Sequence, residues 1–227
     1  MRIDVTLVSS ERTAPLTLTV DNLVIAGWAG RNREAMEHHI QELEALGIKR
    51  PATTPTFYRV AASRLSKDDL LENPGGASSG EVEAVVFAQG GKLYVGIGSD
   101  HTDREVEAYG ITVSKQLCDK PVGPEVWPFA EVADHWDQII MRSWTTEAGK
   151  RTLYQEGRLG DLLDPRDVIA RYTDGGKLAD GTALFGGTPP AIGGVRPGER
   201  FEAELDDPVL SRKLRLVYDI GELPIAG

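Results

Sequence analysis

Three carboxylates set the chemistry to be considered first. Glu81 and Glu83 stand in Gly80-Glu81-Val82-Glu83-Ala84-Val85-Val86-Phe87, and Asp100 follows a short distance on. Alternate residues of a strand project from one face, so the two glutamates share a face with Val85 and Phe87, which reads as buried. Two ionised carboxylates on a buried face repel each other and are costly to desolvate unless something positive lies between them. The next feature, Gln89-Gly90-Gly91-Lys92, has the Gly-Gly pair that closes a two-residue hairpin. With that loop Gln89 faces Lys92, and counting outward brings Glu81 opposite Asp100. Three oxygen ligands then converge, a set suited to a hard cation: Mg²⁺ first, then Mn²⁺ or Ca²⁺, rather than zinc. The competing reading leaves the glutamates on a solvated edge, with Asp100 opening a turn.

Positioning such a site falls to strands. Period-two alternation and β-branched residues predict them near 3–8, 16–20, 22–27, 55–60, 82–88, 92–98, 182–185, 201–205 and 213–219. Helical spacing is clearest over 33–46, where Met36, Ile40, Leu43 and Leu46 recur and Gly47 sits just past the end. Weaker helices are expected over 131–141 and 165–172. The chain therefore reads as α+β and β-rich, without the strand–helix alternation of a doubly wound sheet. A boundary after Lys49-Arg50-Pro51 divides it into an N-terminal appendage, 1–54, and a main body, 55–227.

Composition narrows the partners. The 227 residues are 41% hydrophobic and 26% charged, ordinary for a globular chain. A formal charge of −10 with no basic run disfavours nucleic acid and anionic lipid. No apolar run is long enough to span a bilayer. The single cysteine, Cys118, leaves no intramolecular disulfide to form, and the N-terminal segment alternates as a strand rather than as a signal sequence. A cytoplasmic protein is the expectation.

The order of motifs resembles the fumarylacetoacetate hydrolase superfamily. Gly80-Glu81-Val82-Glu83 is similar to its Glu-x-Glu strand, and Ser99-Asp100-His101-Thr102-Asp103-Arg104 to its Asn-Asp-x-Ser/Thr-x-Arg segment, with Ser in place of Asn. Ser114-Lys115-Gln116 followed by Pro121-Val122-Gly123-Pro124 resembles the lysine stretch ending in Gly-Pro. Gly186-Gly187-Thr188-Pro189 and Arg196-Pro197-Gly198-Glu199 resemble the Thr-Gly-Thr-Pro loop and the Pro-Gly-Asp turn. The resemblance implies a mixed β-roll with a small appendage and lid helix, homodimers, and a Mg²⁺-type ion on Glu81, Glu83 and Asp100. It also implies that Arg104, Lys115 and Thr188 hold the oxygens of a small anionic keto-acid. Tyr58 is a further candidate for the pocket wall. The sequence departs from the family at Glu107, where a neutral residue is usual, and at Leu117-Cys118-Asp119-Lys120.

A base is sought on the helix over 33–46. At 100° per residue His39 falls between Leu43 and Leu46 on the apolar face, and His38 falls on the polar side. Glu42 is one turn on, placed to hold the imidazole in one tautomer. Smaller members of the superfamily carry Gly-Arg/Lys-Asn-Tyr and then His-x-x-Glu on a lid helix. Gly30-Arg31-Asn32 followed by His39-Ile40-Gln41-Glu42 resembles that pattern, with Arg33 for Tyr and three more residues before the His. The resemblance implies that His39 and Glu42 activate a water as the lid closes, with His38 or His101 as fallback. The expected reaction is metal-dependent hydrolysis of a carbon–carbon bond in a 1,3-dicarbonyl, acylpyruvate-like acid. Decarboxylation, tautomerisation or dehydration of a keto-acid on the same site, and metal–ligand binding without turnover, are the alternatives.

Overall fold

The Val82–Gln89 strand is the axis of the molecule, because alternation gives it two buried faces with different partners. The computed structural model describes residues 1–45 and 50–226, and for Ala35, His39, Glu42, Leu43 and Ala45 in the helix Arg33–Ala45 it describes the backbone only. Gly90 and Gly91 both take positive φ, 60° and 69°, the backbone that a two-residue turn between twisted strands requires. The turn fixes Gln89 opposite Lys92, and the ladder runs back to Val82 opposite Ser99.

Among the described residues the main sheet has nine strands. Eight follow the order Thr13–Thr19, Arg2–Val8, Lys120–Pro128, Lys92–Ser99, Val82–Gln89, Thr182–Phe185, Asn22–Gly27 and Thr56–Val60, and Leu65–Ser66 pairs alongside Lys120–Pro128. A second sheet orders Lys150–Arg158, Ile140–Glu147, Arg200–Asp207, Arg212–Leu223 and Leu70–Pro74. The short strands Ser78–Ser79 and Thr102–Asp103 pair separately. The chain is thus β-rich α+β with mixed sheets, and no described helix is long and apolar enough to cross a membrane.

Burial explains how the layers close. Val82 and Ala84, with Val95 and Ile97, pack against Met141, Phe201, Leu205 and Leu214 of the second sheet. On the other face Val85 and Phe87 meet Ile3, Val5, Leu18, Ile25, Val122 and Phe185, all from strands of the same main sheet. A sheet whose own strands share one core is curled, and its concave side is the side Glu83 faces. Gly98 lies opposite Glu83, and a Cβ there would stand 2.7 Å from both Phe185 and Val85, so only glycine leaves room for those two side chains.

Every strand expected from the sequence is present, with ends shifted by a few residues at most. Residues 1–54 supply three strands of the main sheet before the helix Arg33–Ala45. The expected helix over 131–141 is shorter: Phe129–Val132 is α-helical, Ala133–Gln138 is 3₁₀ with a non-helical His135, and a strand opens at Ile140. Trp136 is buried against Phe129, and His135 approaches Asp207 at 2.9 Å, so this pair packs rather than catalyses.

Candidate metal centre

The hairpin register carries past Ser99, since the Asp100 N–H donates to the Glu81 carbonyl at 3.0 Å. Glu81, Glu83 and Asp100 each present an oxygen within 4.8 Å of the others, the one such group among the described residues. Asp100 is fully buried, Glu83 is 2% exposed, and Glu81 lies at the rim. The solvated-edge reading is therefore excluded.

Two lysines answer the negative charge. Lys115, on the helix Ile111–Leu117, sits directly against Asp100 and 3.9 Å from Glu81, and Lys120 reaches Asp100 at 3.2 Å. Burial works to raise the Asp100 carboxyl, but the two ammonium groups outweigh it and hold it below its ordinary range. Burial pushes Glu83 well above the carboxylate range, the Asp100 charge adds to that, and Lys115 offsets only part. Burial thus disfavours ionisation of Glu83, while the two ammonium groups favour it at Asp100. Burial lowers Lys120, whereas for Lys115 the charges of Asp100 and Glu81 overcome burial and raise it.

The rim is built by the turn after Asp100. The Asp103 carboxylate caps the helix Arg104–Tyr109 by accepting from the Val106 N–H at 2.9 Å, and so fixes Arg104 in the first turn. Arg104 donates through Nη1 to Glu81 at 3.0 Å and Glu107 at 2.9 Å, and through Nε to Ser79 at 2.7 Å. Its buried Nη2 has no partner among the described residues. The Tyr58 ring lies 5.7 Å from Lys115 Nζ, half-buried on the same side. Across the site the Gly187 N–H donates to Glu83 Oε2 at 2.7 Å, which brings the Thr188 loop to the centre.

The structure therefore gathers Glu81, Glu83, Asp100, Arg104 and Lys115 into one cluster, with Tyr58 beside Lys115 and Thr188 next to Gly187. The side chains of His39 and Glu42 lie outside the described residues, and His38 is exposed on the helix. His101 is buried: its ring contacts Tyr218 Oη at 2.9 Å and Asn73 at 3.3 Å, and burial with the nearby charges of Lys120 and Arg104 lowers it to about 3. A neutral imidazole enclosed in this way holds structure and is not placed to take protons from a ligand. Sequence reasoning missed Lys120. Its signal was a lysine opening an apolar strand, in Lys120-Pro121-Val122, where an unpaired charge would be costly.

A hard cation fits this donor set. Three carboxylate oxygens converge at one point, two of the residues are buried, and among the described residues no sulfur or imidazole ligand joins them.

The fold has solved counterparts. A structure of Cg1458 superposes with a TM-score of 0.62 at 14% identity, covering 94% of this chain and 83% of that one. Cg1458 with inhibitor gives 0.63 at 16% identity, covering 94% and 84%. 2-Keto-3-deoxy-D-arabinonate dehydratase, complexed with magnesium and 2,5-dioxopentanoate, gives 0.61 at 14% identity, covering 91% and 75%. At these identities the likeness is one of fold. No curated protein matches the chain in sequence. A family model described as "Protein of unknown function (DUF2848)" matches residues 26–218.

Proposed function

The chain belongs to the DUF2848 family, described as proteins of unknown function, and within it we propose a divalent-metal-dependent enzyme acting on a small 2-oxo acid, on a fold of the fumarylacetoacetate hydrolase superfamily type. The observation that carries this reading is the meeting of Glu81, Glu83 and Asp100 within 4.8 Å, ringed by Lys115, Lys120 and Arg104. The three carboxylates would hold Mg²⁺, or Mn²⁺ or Ca²⁺. When bound, such an ion polarises the carbonyl oxygen of a 2-oxo acid and favours the enolate form.

The chain's own residues divide the remaining work. Lys115 and Arg104 offer charge-assisted donors to carboxylate oxygens, and Thr188 offers a hydroxyl from the facing loop. Tyr58 walls the lysine side. His39, oriented by Glu42 on the helix Arg33–Ala45 acting as a lid, takes a proton from water or substrate carbon as the lid closes. The working unit is a cytoplasmic homodimer.

Two reactions share this enolate. Hydrolysis of a carbon–carbon bond in a 1,3-dicarbonyl acid sends the water to the distal carbonyl. Dehydration of a 2-oxo-3-deoxy acid instead expels a hydroxyl, and the dehydratase with magnesium and 2,5-dioxopentanoate among the fold neighbours favours it equally. The test is a panel of acylpyruvates and 2-oxo-3-deoxy sugar acids with Mg²⁺, followed by loss of enol absorbance and by product mass. Two carboxylic fragments identify the hydrolase, and a product lighter by one water identifies the dehydratase. No turnover and no metal-dependent binding across the panel would sink the proposal.

A further inference from the structure

The geometry points to Gln155 as the residue that fixes Thr188 as a hydrogen-bond donor toward the metal centre, so that a carboxylate or enolate oxygen bound there accepts from it. This rests on the reading of Thr188 as a substrate contact. Gln155 is a positioning residue in it.

Gln155 is 1% exposed, although simple alternation would not put it inside. In the strand Lys150–Arg158 the register slips: Ser143 faces Gln155 while Trp144 faces Leu153, leaving Tyr154 as an extra residue. The bulge turns the neighbours Tyr154 and Gln155 both inward. The same stretch of backbone anchors the loop carrying Thr188, through the Ile192 N–H on the Tyr154 carbonyl at 2.7 Å and a bridge between Gln155 and Ala191.

The orientation of the amide is settled by partners that have no choice. The Val82 N–H only donates, and it meets Gln155 Oε1 at 3.0 Å. The Pro189 carbonyl only accepts, and it meets Nε2 at 2.7 Å. A flipped amide would set oxygen against oxygen at one end and donor against donor at the other. Ser143 Oγ also donates to Oε1, at 2.8 Å, so the second Nε2 hydrogen is what meets Thr188 Oγ1 at 2.7 Å. With a lone pair of its hydroxyl taken, Thr188 must turn its single hydrogen elsewhere. Gly187, one residue earlier, already donates its N–H to Glu83. Two consecutive residues of this loop thus offer donors beside the carboxylate cluster, and Val82, held by the same amide, lies between Glu81 and Glu83.

Gln155→Glu tests the assignment, since the new carboxylate is isosteric but accepts at both ends and would draw the Thr188 hydrogen to itself. In the Mn²⁺-loaded protein, titrated with pyruvate, the variant should lose about tenfold or more in pyruvate affinity, the scale of one hydrogen bond to a charged group. Its Mn²⁺ affinity should stay within about threefold, because the contacts to Val82 and Ser143 can persist. Thr188→Val should show the same loss, and the double variant should be no worse than either single one. Unchanged pyruvate binding in Gln155→Glu, multiplying losses in the double variant, or wild-type protein that takes Mn²⁺ but no pyruvate would each overturn the proposal. Neutron diffraction on wild-type crystals reads it without any ligand. The Thr188 deuteron should point away from Gln155, and a deuteron pointing at Gln155 overturns the assignment. If wild-type protein bound no Mn²⁺, the proposed function would fall, and the deuteron position would still decide the role of Gln155.

Discussion

Gly187 and Glu83, 104 residues apart in the chain, meet at 2.7 Å through a backbone N–H and a buried carboxyl oxygen. That contact orients the carboxyl that burial pushes well above the carboxylate range. A bound divalent ion needs the ionised form, so binding must expel the proton. Mn²⁺ titrations in buffers of different ionisation enthalpy should show proton release. The sign follows from the raised pKa: affinity climbs with pH, by up to about tenfold per unit, until pH passes the raised Glu83 value. Glu83→Gln should weaken Mn²⁺ binding by about 100-fold and abolish the proton release. Equal binding by the variant and wild type would remove the metal assignment.

Arg104 divides one nitrogen between Glu81 and Glu107, at 3.0 and 2.9 Å, so part of its charge is spent within the protein. Replacing Glu107 by Gln removes a negative charge from the rim while keeping a hydrogen-bonding partner. The Mn²⁺-loaded variant should gain about tenfold for 2-oxoglutarate, a dianion, relative to pyruvate, a monoanion. The ratio of the two dissociation constants checks this, and an unmoved ratio means that Arg104 does not face the ligand.

The proton-transfer assignment separates from metal binding. His39→Ala should lose about 100-fold in turnover on whichever acid proves to be the substrate, and Glu42→Ala about tenfold, the usual range for a general base and its orienting partner. Both should bind Mn²⁺ as wild type does. Near-normal turnover by His39→Ala would transfer the role to His38.

His101 gives the folded protein an acid sensitivity. In the unfolded chain its imidazole protonates near 6.5, whereas burial holds it to about 3 in the folded state. Below pH 6.5 the unfolded form binds a proton that the folded form cannot, so stability falls as pH falls through this window and is unaffected above it. Urea unfolding of chelator-treated protein should show a slope of up to about 1.4 kcal/mol per pH unit between roughly pH 6 and 5. His101→Gln should flatten that slope. Identical pH profiles for the two proteins would show that the imidazole accepts a proton in place.

The sequence was most informative where one rule acted alone. The Gly90-Gly91 turn set a register, and counting from it placed Glu81 beside Asp100. Where a second effect intervened, the pattern was obscured. The strand Lys120–Pro128 contains Pro121, Pro124 and Pro128, so its propensity reads as loop, and its register shifts between Val122 and Val126. Ile140–Glu147 turns Ser143 and Thr145 inward, which hides its alternation, and in the strand after it the bulge at Tyr154 breaks the period that would have located Gln155. The helices Arg104–Tyr109 and Ile111–Leu117 bury only Ser114 and Lys115 and leave Tyr109 and Val113 exposed, so they present no apolar stripe to recognise. Glu107 was visible as a charge, but its pairing with Arg104 depends on the Asp103 cap.

The main sheet is completed by parallel pairings between segments more than a hundred residues apart, Thr6 with Glu125 and Asn22 with Thr182. Such closures must be made against chain entropy before they return any contact energy, which makes them slow. The second of them delivers Gly187 to Glu83, so the local hairpin, although it carries all three carboxylates, cannot complete the centre alone. An ion meeting the nascent chain finds carboxylates without their enclosing loop. Its grip therefore belongs to the finished molecule: it acts as a lock on the unfolding step rather than as a template for folding.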